Sequence, residues 1–100
     1  MITSIANQTT QDIYDGISSK KARKIPEFLH SKACRLMDQL DAAESLEDMK
    51  IPPGNRFEPL SGDLSEYFSV RINKQWRVIF KWDEAQKNAY DVYIGDYHKG

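Results

Sequence analysis

The tightest constraint in this chain is the stretch Tyr67 to Lys81, YFSVRINKQWRVIFK. Apolar and polar residues alternate along most of it, the period-two pattern of a half-buried strand. Phe68, Val70 and Ile72 share one face, with Ser69, Arg71 and Tyr67 on the other. Beyond the turn, Trp76, Val78, Phe80 and Trp82 share a face, opposed by Arg77, Ile79 and Lys81. A three-residue loop, Asn73-Lys74-Gln75, sets Ile72 across from Trp76, Val70 across from Val78 and Phe68 across from Phe80. A two-residue loop would set Val70 against Arg77 and mix the faces, because a one-residue slip flips every side chain. The three-residue register also sets Arg71 directly across from Arg77. Like charges in that relation destabilise a sheet. The pair therefore serves an anion, or is neutralised by Glu58 or Asp91, or points to water.

One hundred residues make a single domain, 1–100, with room for one core. At 40% hydrophobic and 29% charged, the balance is that of a soluble globular protein rather than a disordered one. Cys34 is the sole cysteine, which rules out an intrachain disulfide and a cysteine-based metal site and fits a reducing cytoplasm. No metal or cofactor is anticipated. MITSIANQTT lacks the basic and apolar regions of a signal peptide, and no window approaches the ~18 apolar residues of a membrane span. A net charge of −1 argues against binding nucleic acid by bulk charge, so any basic site must come from placement.

Along the chain, Met1 to Ala6 reads as a first strand or extended arm. Asn7 to Thr10 offers N-cap residues for a helix over Gln8 to Ile17, with Ile13, Tyr14 and Ile17 on one side. The basic cluster Lys20, Lys21, Arg23 and Lys24 reads as a solvated face or as a contact to phosphate or an acidic partner. Pro26 opens a strong amphipathic helix to Ala43, with Leu29, Ala33, Leu36, Met37, Leu40 and Ala43 as its apolar stripe. His30 falls on the polar side, as a surface histidine, and Cys34 off the stripe, as a small filler. Asp41, Glu44, Glu47 and Asp48 form a solvated acidic patch. Ile51 to Asn55 forces a tight turn, RFEPL reads as a short edge strand, and Asp83 to Asn88 as a hairpin loop. In the last strand Tyr90, Val92 and Ile94 take the core face.

The expected architecture is α+β: a small, mainly antiparallel, twisted sheet packed on N-terminal helices. The sheet's opposite face displays Tyr67, Ser69, Arg71, Arg77, Ile79, Lys81, Tyr93 and Tyr97. Cations interleaved with aromatic rings suit a nucleic-acid backbone with stacked bases.

The run IPPGNRFEPLSGD, then YFSVRINKQWRVIFKW, then YDVYIGDYH resembles the HigB-like toxins of the RelE/ParE superfamily, the toxins of type II toxin–antitoxin modules. The resemblance covers roughly residues 25 to 98 and implies a RelE/ParE-like fold. It implies a ribosome-dependent mRNA endoribonuclease that blocks translation. As partners it implies the ribosome, mRNA and a helix-turn-helix antitoxin, HigA-like, with operator DNA bound only through the pair. Arg71 and Arg77 match the phosphate-binding arginines, and Asp96, Tyr97 and His98 the C-terminal catalytic group. Asn55 and Arg56 match a recurrent element near the same surface, and Lys81 and Tyr93 join them as RNA contacts. Some relatives carry a histidine or lysine ahead of the central strands, where Lys50 is the nearest match.

The chemistry suits these residue types. RNA is cut without metal when its 2′-OH attacks the adjacent phosphorus. A base takes the hydroxyl proton, an acid protonates the leaving 5′-oxygen, and cations stabilise the phosphate. Histidine suits either proton role. Arginine gives planar bidentate contacts that strengthen as charge builds. The alternative within the superfamily is a ParE-like DNA gyrase poison without nuclease activity, which has no need of a terminal histidine. A purely regulatory homologue would have lost Arg71, Arg77 or His98, and all three are present.

Overall fold

Asn7 starts the first helix as an N-cap: its backbone is extended and its side-chain oxygen accepts the Thr10 N–H at 2.9 Å. The helix that follows, α1, spans Gln8–Tyr14 in the computed structural model, which describes residues 1–97. It ends earlier than the expected Ile17, because Gly16 turns the chain at φ 72 and leaves Ile17 half in solvent. Asp12 ties this end to the next segment. Its carboxylate accepts from the Ser19 hydroxyl and the Gln8 amide, and these bonds hold its pKa below the usual range.

The exposed cations Lys20 and Lys21 lead into a short 3-10 turn, Ala22–Lys24, whose exposed Arg23 and Lys24 continue toward the second helix. That helix begins with a 3-10 turn over Glu27–Leu29 and continues as α2, His30–Ala42. Ala33, Leu36, Met37 and Leu40 lie on its buried face, as the periodicity predicts. His30 is half-buried rather than a free surface histidine, with Nε2 2.9 Å from the Ile25 carbonyl. The Cys34 thiol donates to the Ile13 carbonyl, joining α2 to α1.

Four antiparallel strands follow in spatial order: β1 (Glu58–Pro59), β2 (Phe68–Arg71), β3 (Trp76–Asp83) and β4 (Asn88–Asp96). The β2–β3 register pairs Phe68 with Phe80, Val70 with Val78 and Arg71 with Arg77, as the alternation requires. The N-terminal residues run parallel to β4 beyond it, bridging Ile2 to Ala89 and Ile5 to Val92. Val70, Ile72, Val78, Phe80, Ala89, Val92 and Ile94 form one core with Ile13, Leu29 and the α2 stripe. Both helices therefore lie on one face of the sheet. Thr10 locks α1 to β4: its buried hydroxyl accepts the Ile94 N–H at 2.9 Å.

Tyr90 does not take the core face. The pairing shifts by one residue between Ile79 and Lys81, and Asp91 adopts φ 51 at the bulge. Tyr90 is thereby set opposite Lys81, on the face away from the helices, and Ala89 fills the core position instead.

Candidate functional site

The face turned away from the helices is built by β2, β3 and β4. At its centre Arg71 and Arg77 are direct cross-strand partners. Their surroundings differ. The Arg77 side chain is 14% exposed and held at three points. Its Nη1 donates to Ser69 Oγ at 2.9 Å and to the Arg56 carbonyl at 3.2 Å. Its Nη2 lies 3.4 Å from Glu58 Oε1. Arg71 is half-buried, and its side chain has no hydrogen bond or ion pair among the described residues. Of the two carboxylates considered as neutralisers, Glu58 reaches Arg77, whereas Asp91 lies 3.6 Å from Lys81.

Lys81 lies further along β3, past Ile79 on the same face. Its ammonium sits 5.1 Å from the Tyr67 ring centroid and 5.9 Å from that of Tyr90, between Glu66 and Asp91 at 3.6 Å each. Burial works against its charge, but Tyr67, Glu66, Asp91 and Tyr90 together outweigh burial, and the ammonium titrates above the ordinary lysine range. Tyr67 meets Tyr93 edge-on at 6.0 Å. Burial, and then the neighbouring Tyr67, push the Tyr93 phenol up, so near neutral pH it is a hydroxyl that can donate.

Ile79 belongs to this face yet is 1% exposed. Gly95 explains it. A Cβ at residue 95 would stand 2.8 Å from Tyr93 Cε2 and 3.0 Å from Ile79 Cδ1. The Tyr93 ring thus lies down over Ile79 in the space that glycine leaves, and the centre of the face is packed.

The loop before β1 supplies the remaining edge. Arg56 is exposed and adopts a left-handed backbone, φ 48 and ψ 47, as its carbonyl turns to meet Arg77. Asn55 is placed otherwise than a surface contact. It is 4% exposed, and its amide nitrogen donates to the Met49 and Ile51 carbonyls and to Gln39 Oε1. It braces the loop from inside. Lys50 is paired to Glu47 at 2.9 Å and lies 5.8 Å from the Phe57 ring centroid.

Of the C-terminal group, Asp96 pairs across from Trp76 and accepts from the Gln75 amide at 3.1 Å. It stands one residue out of phase with Tyr93 and Gly95, hence on the helix side of the sheet's end. Tyr97 follows β4 directly and is half-buried. His98 lies outside the described residues. The sheet thus brings together Arg71, Arg77, Lys81 and Tyr93 with Arg56 at the rim. Ser69 and Glu58 belong to the same constellation as partners of Arg77. A signal for Glu58 was present in its charge, whereas nothing distinguishes Ser69 from other outward strand residues.

The family model of the RelE-like toxin of the type II toxin–antitoxin system HigB matches residues 5–98. Toxin HigB-1 of Vibrio cholerae serotype O1 is 46% identical over 72 residues, covering 71% of this chain and 76% of that protein. An uncharacterized protein of Haemophilus influenzae is 35% identical over 65 residues, 65% of this chain and 64% of that one. Among solved structures, the YoeB–YefM complex from Staphylococcus aureus superposes with a TM-score of 0.56 at 18% identity, covering 98% of each chain. The YoeB/ParE toxin from Agrobacterium tumefaciens gives 0.52 at 16%, covering 96% of this chain and all of that one. At these identities the structural likeness speaks for the α+β fold, and the sequence matches for the family. This chain belongs to the HigB family of RelE-like toxins of type II toxin–antitoxin systems.

Proposed function

We propose that the chain is an mRNA endoribonuclease that acts on the ribosome and halts translation, and that a helix-turn-helix antitoxin of the HigA type neutralises it. The observation that carries this reading is the arginine pair. Two guanidinium groups stand across from each other on the face away from the core, and among the described residues the carboxylate beside them, Glu58, pairs with Arg77 and not with Arg71. The pair keeps a positive excess at one place on a chain whose net charge is −1. A phosphodiester relieves the repulsion, and the relief grows as the phosphorus becomes five-coordinate and gains charge.

In the proposed reaction the substrate's 2′-OH attacks the adjacent phosphorus. A base takes its proton, the P–O5′ bond breaks, and an acid protonates the departing oxygen. Arg71 and Arg77 stabilise the phosphorane. Tyr97 and His98 supply the proton transfers, with His98 as acid or base, and Asp96, on the helix side of the sheet's end, acts by orienting His98 rather than at the phosphate. Tyr93 and Tyr67 offer ring faces to a base, and Lys81 and Arg56 reach the flanking phosphates. A net charge of −1 supports RNA presented by the ribosome over free RNA, and action on the ribosome is action in the cytoplasm. Among the described residues no helix is long and apolar enough to cross a membrane. The antitoxin partner accords with the Staphylococcus aureus YoeB–YefM structure, a toxin–antitoxin complex.

Cleavage on programmed ribosomes with mapped ends tests the reading. Codon-phased cuts with 5′-OH ends are expected, lost with a 2′-deoxy nucleotide at the cut site and in Arg77→Ala. Intact mRNA together with inhibited gyrase supercoiling would transfer the chain to the gyrase-poison reading.

A further inference from the structure

We propose that Ser69 is the positioning residue of Arg77: its buried hydroxyl fixes the guanidinium in the direction that phosphate binding requires. This rests on the reading of Arg77 as a phosphate-binding group. A serine on the outward face of a strand is normally solvated, yet Ser69 is fully buried. It sits between Glu58 on β1 and Ile79 on β3, its two cross-strand partners. Arg77 is the diagonal neighbour, two residues from Ile79, and a long side chain reaches such a neighbour easily. Instead of standing off the sheet, Arg77 reaches back to Ser69 and donates to its buried hydroxyl at 2.9 Å.

The geometry of the cradle has a consequence for direction. Nη1 donates to both Ser69 Oγ and the Arg56 carbonyl, so that end of the guanidinium is committed to the protein. The remaining donors, on Nε and Nη2, are left for a ligand, with Glu58 at Nη2 as the only carboxylate that competes among the described residues. A side-on approach through Nε and Nη2 is a bidentate geometry that suits two phosphate oxygens. Without Ser69 the guanidinium keeps the longer contacts, to the Arg56 carbonyl at 3.2 Å and to Glu58 at 3.4 Å, and loses the shortest of the three. Ser69 supplies the second acceptor on the same nitrogen and so fixes its plane. Alanine at 69 keeps the strand and its burial but removes that acceptor.

The test is a double-mutant cycle, read as single-turnover mRNA cleavage on programmed ribosomes with the full chain. Ser69→Ala is expected to lower the rate roughly 10- to 100-fold, the range for one charge-assisted hydrogen bond. In an Arg77→Ala background the same substitution is expected to change nothing further. A second measurement reads Arg77 directly: by NMR its Nη protons should average faster in Ser69→Ala than in the wild type, as the guanidinium loses one of its three contacts. Ser69→Thr, which keeps the hydroxyl, should restore both. Equal losses in the two backgrounds would overturn the proposal, as would wild-type cleavage by Ser69→Ala even with averaged Nη signals. If Ser69→Ala melts below the assay temperature, Ser69→Cys, close in shape but a poor acceptor, takes its place with the same expected outcomes. Full cleavage by Arg77→Ala is a separate result: it removes the phosphate-binding reading itself.

Discussion

Arg71 faces Arg77 across the hairpin, and Glu58 stands 3.4 Å from Arg77, which also donates to Ser69 and to the Arg56 carbonyl, while Arg71 has no such partner among the described residues. The two arginines therefore respond oppositely to loss of charge. Arg71→Gln removes a repulsion and breaks no side-chain bond among the described residues, so stability is expected to hold or rise by about 0.5 kcal/mol. Arg77→Gln removes an ion pair and strands a buried hydroxyl, and is expected to cost about 1–3 kcal/mol. Both should lower cleavage by roughly 10- to 1,000-fold. Urea denaturation beside ribosome cleavage measures the two effects; a stability loss in Arg71→Gln would contradict the assignment of strain to that pair.

Asn55→Ala separates scaffold from contact. The buried amide holds the Met49 and Ile51 carbonyls, and its loss is expected to cost about 1–3 kcal/mol. For a domain of this size that lowers Tm by roughly 4–8 °C per kcal/mol. Below the melting transition, cleavage should fall far less than in Arg77→Ala. A loss of cleavage as deep as Arg77→Ala with an unchanged Tm would return Asn55 to the RNA contacts.

Gly95→Ala forces a Cβ against the Tyr93 ring and Ile79. The ring must lift, which exposes Ile79, and the expected cost is about 1–3 kcal/mol. Adding Tyr93→Ala should recover part of that cost, because the substitution clears the obstruction. Calorimetry of the single and double variants decides it, and additive losses would show that the ring is not what glycine accommodates.

Alkaline stability should carry the mark of Tyr14. Burial, then Asp41 and Asp38, push its phenol up to about 12 from an ordinary value of 10.0. Between those values the native state keeps a proton that the unfolded state has released. Stability therefore falls as pH rises from about 10 through about 12. Tyr14→Phe should flatten that part of the urea midpoint profile, and an unchanged slope would assign the loss to other groups.

The hairpin was legible because three apolar pairs agree on a single register, and the arginine pairing came with it. The second helix was legible because four buried positions recur at helical spacing and nothing interrupts them. Tyr90 was misplaced because a bulge shifts the phase by one residue, and period-two reasoning assumes that the phase persists. Asp91 is a residue type that tolerates the required left-handed backbone, but the same residue sits as easily in a regular strand. Asn55, after Pro-Pro-Gly, reads as a turn residue at the surface; only the arrival of Met49, Ile51 and Gln39 around it makes it a brace. Ser69 was hidden for the same reason, since its hydroxyl finds its partner in an arginine two positions along the neighbouring strand.

The parallel pairing of the first residues with β4 sets the order in which this molecule can be made. Ile2 and Ile5 find their bridges only at Ala89 and Val92, and the Thr10 hydroxyl waits for Ile94. These contacts span nearly the whole length of the chain, and their loop-closure cost falls due late in folding. A nascent chain that has reached Lys81 already carries both arginines, but it has no β4 to back them and no ring to cover Ile79. The arginine face is therefore completed only after residue 95 has emerged, so Arg71 and Arg77 are synthesised well before the strand and the ring that finish their surroundings.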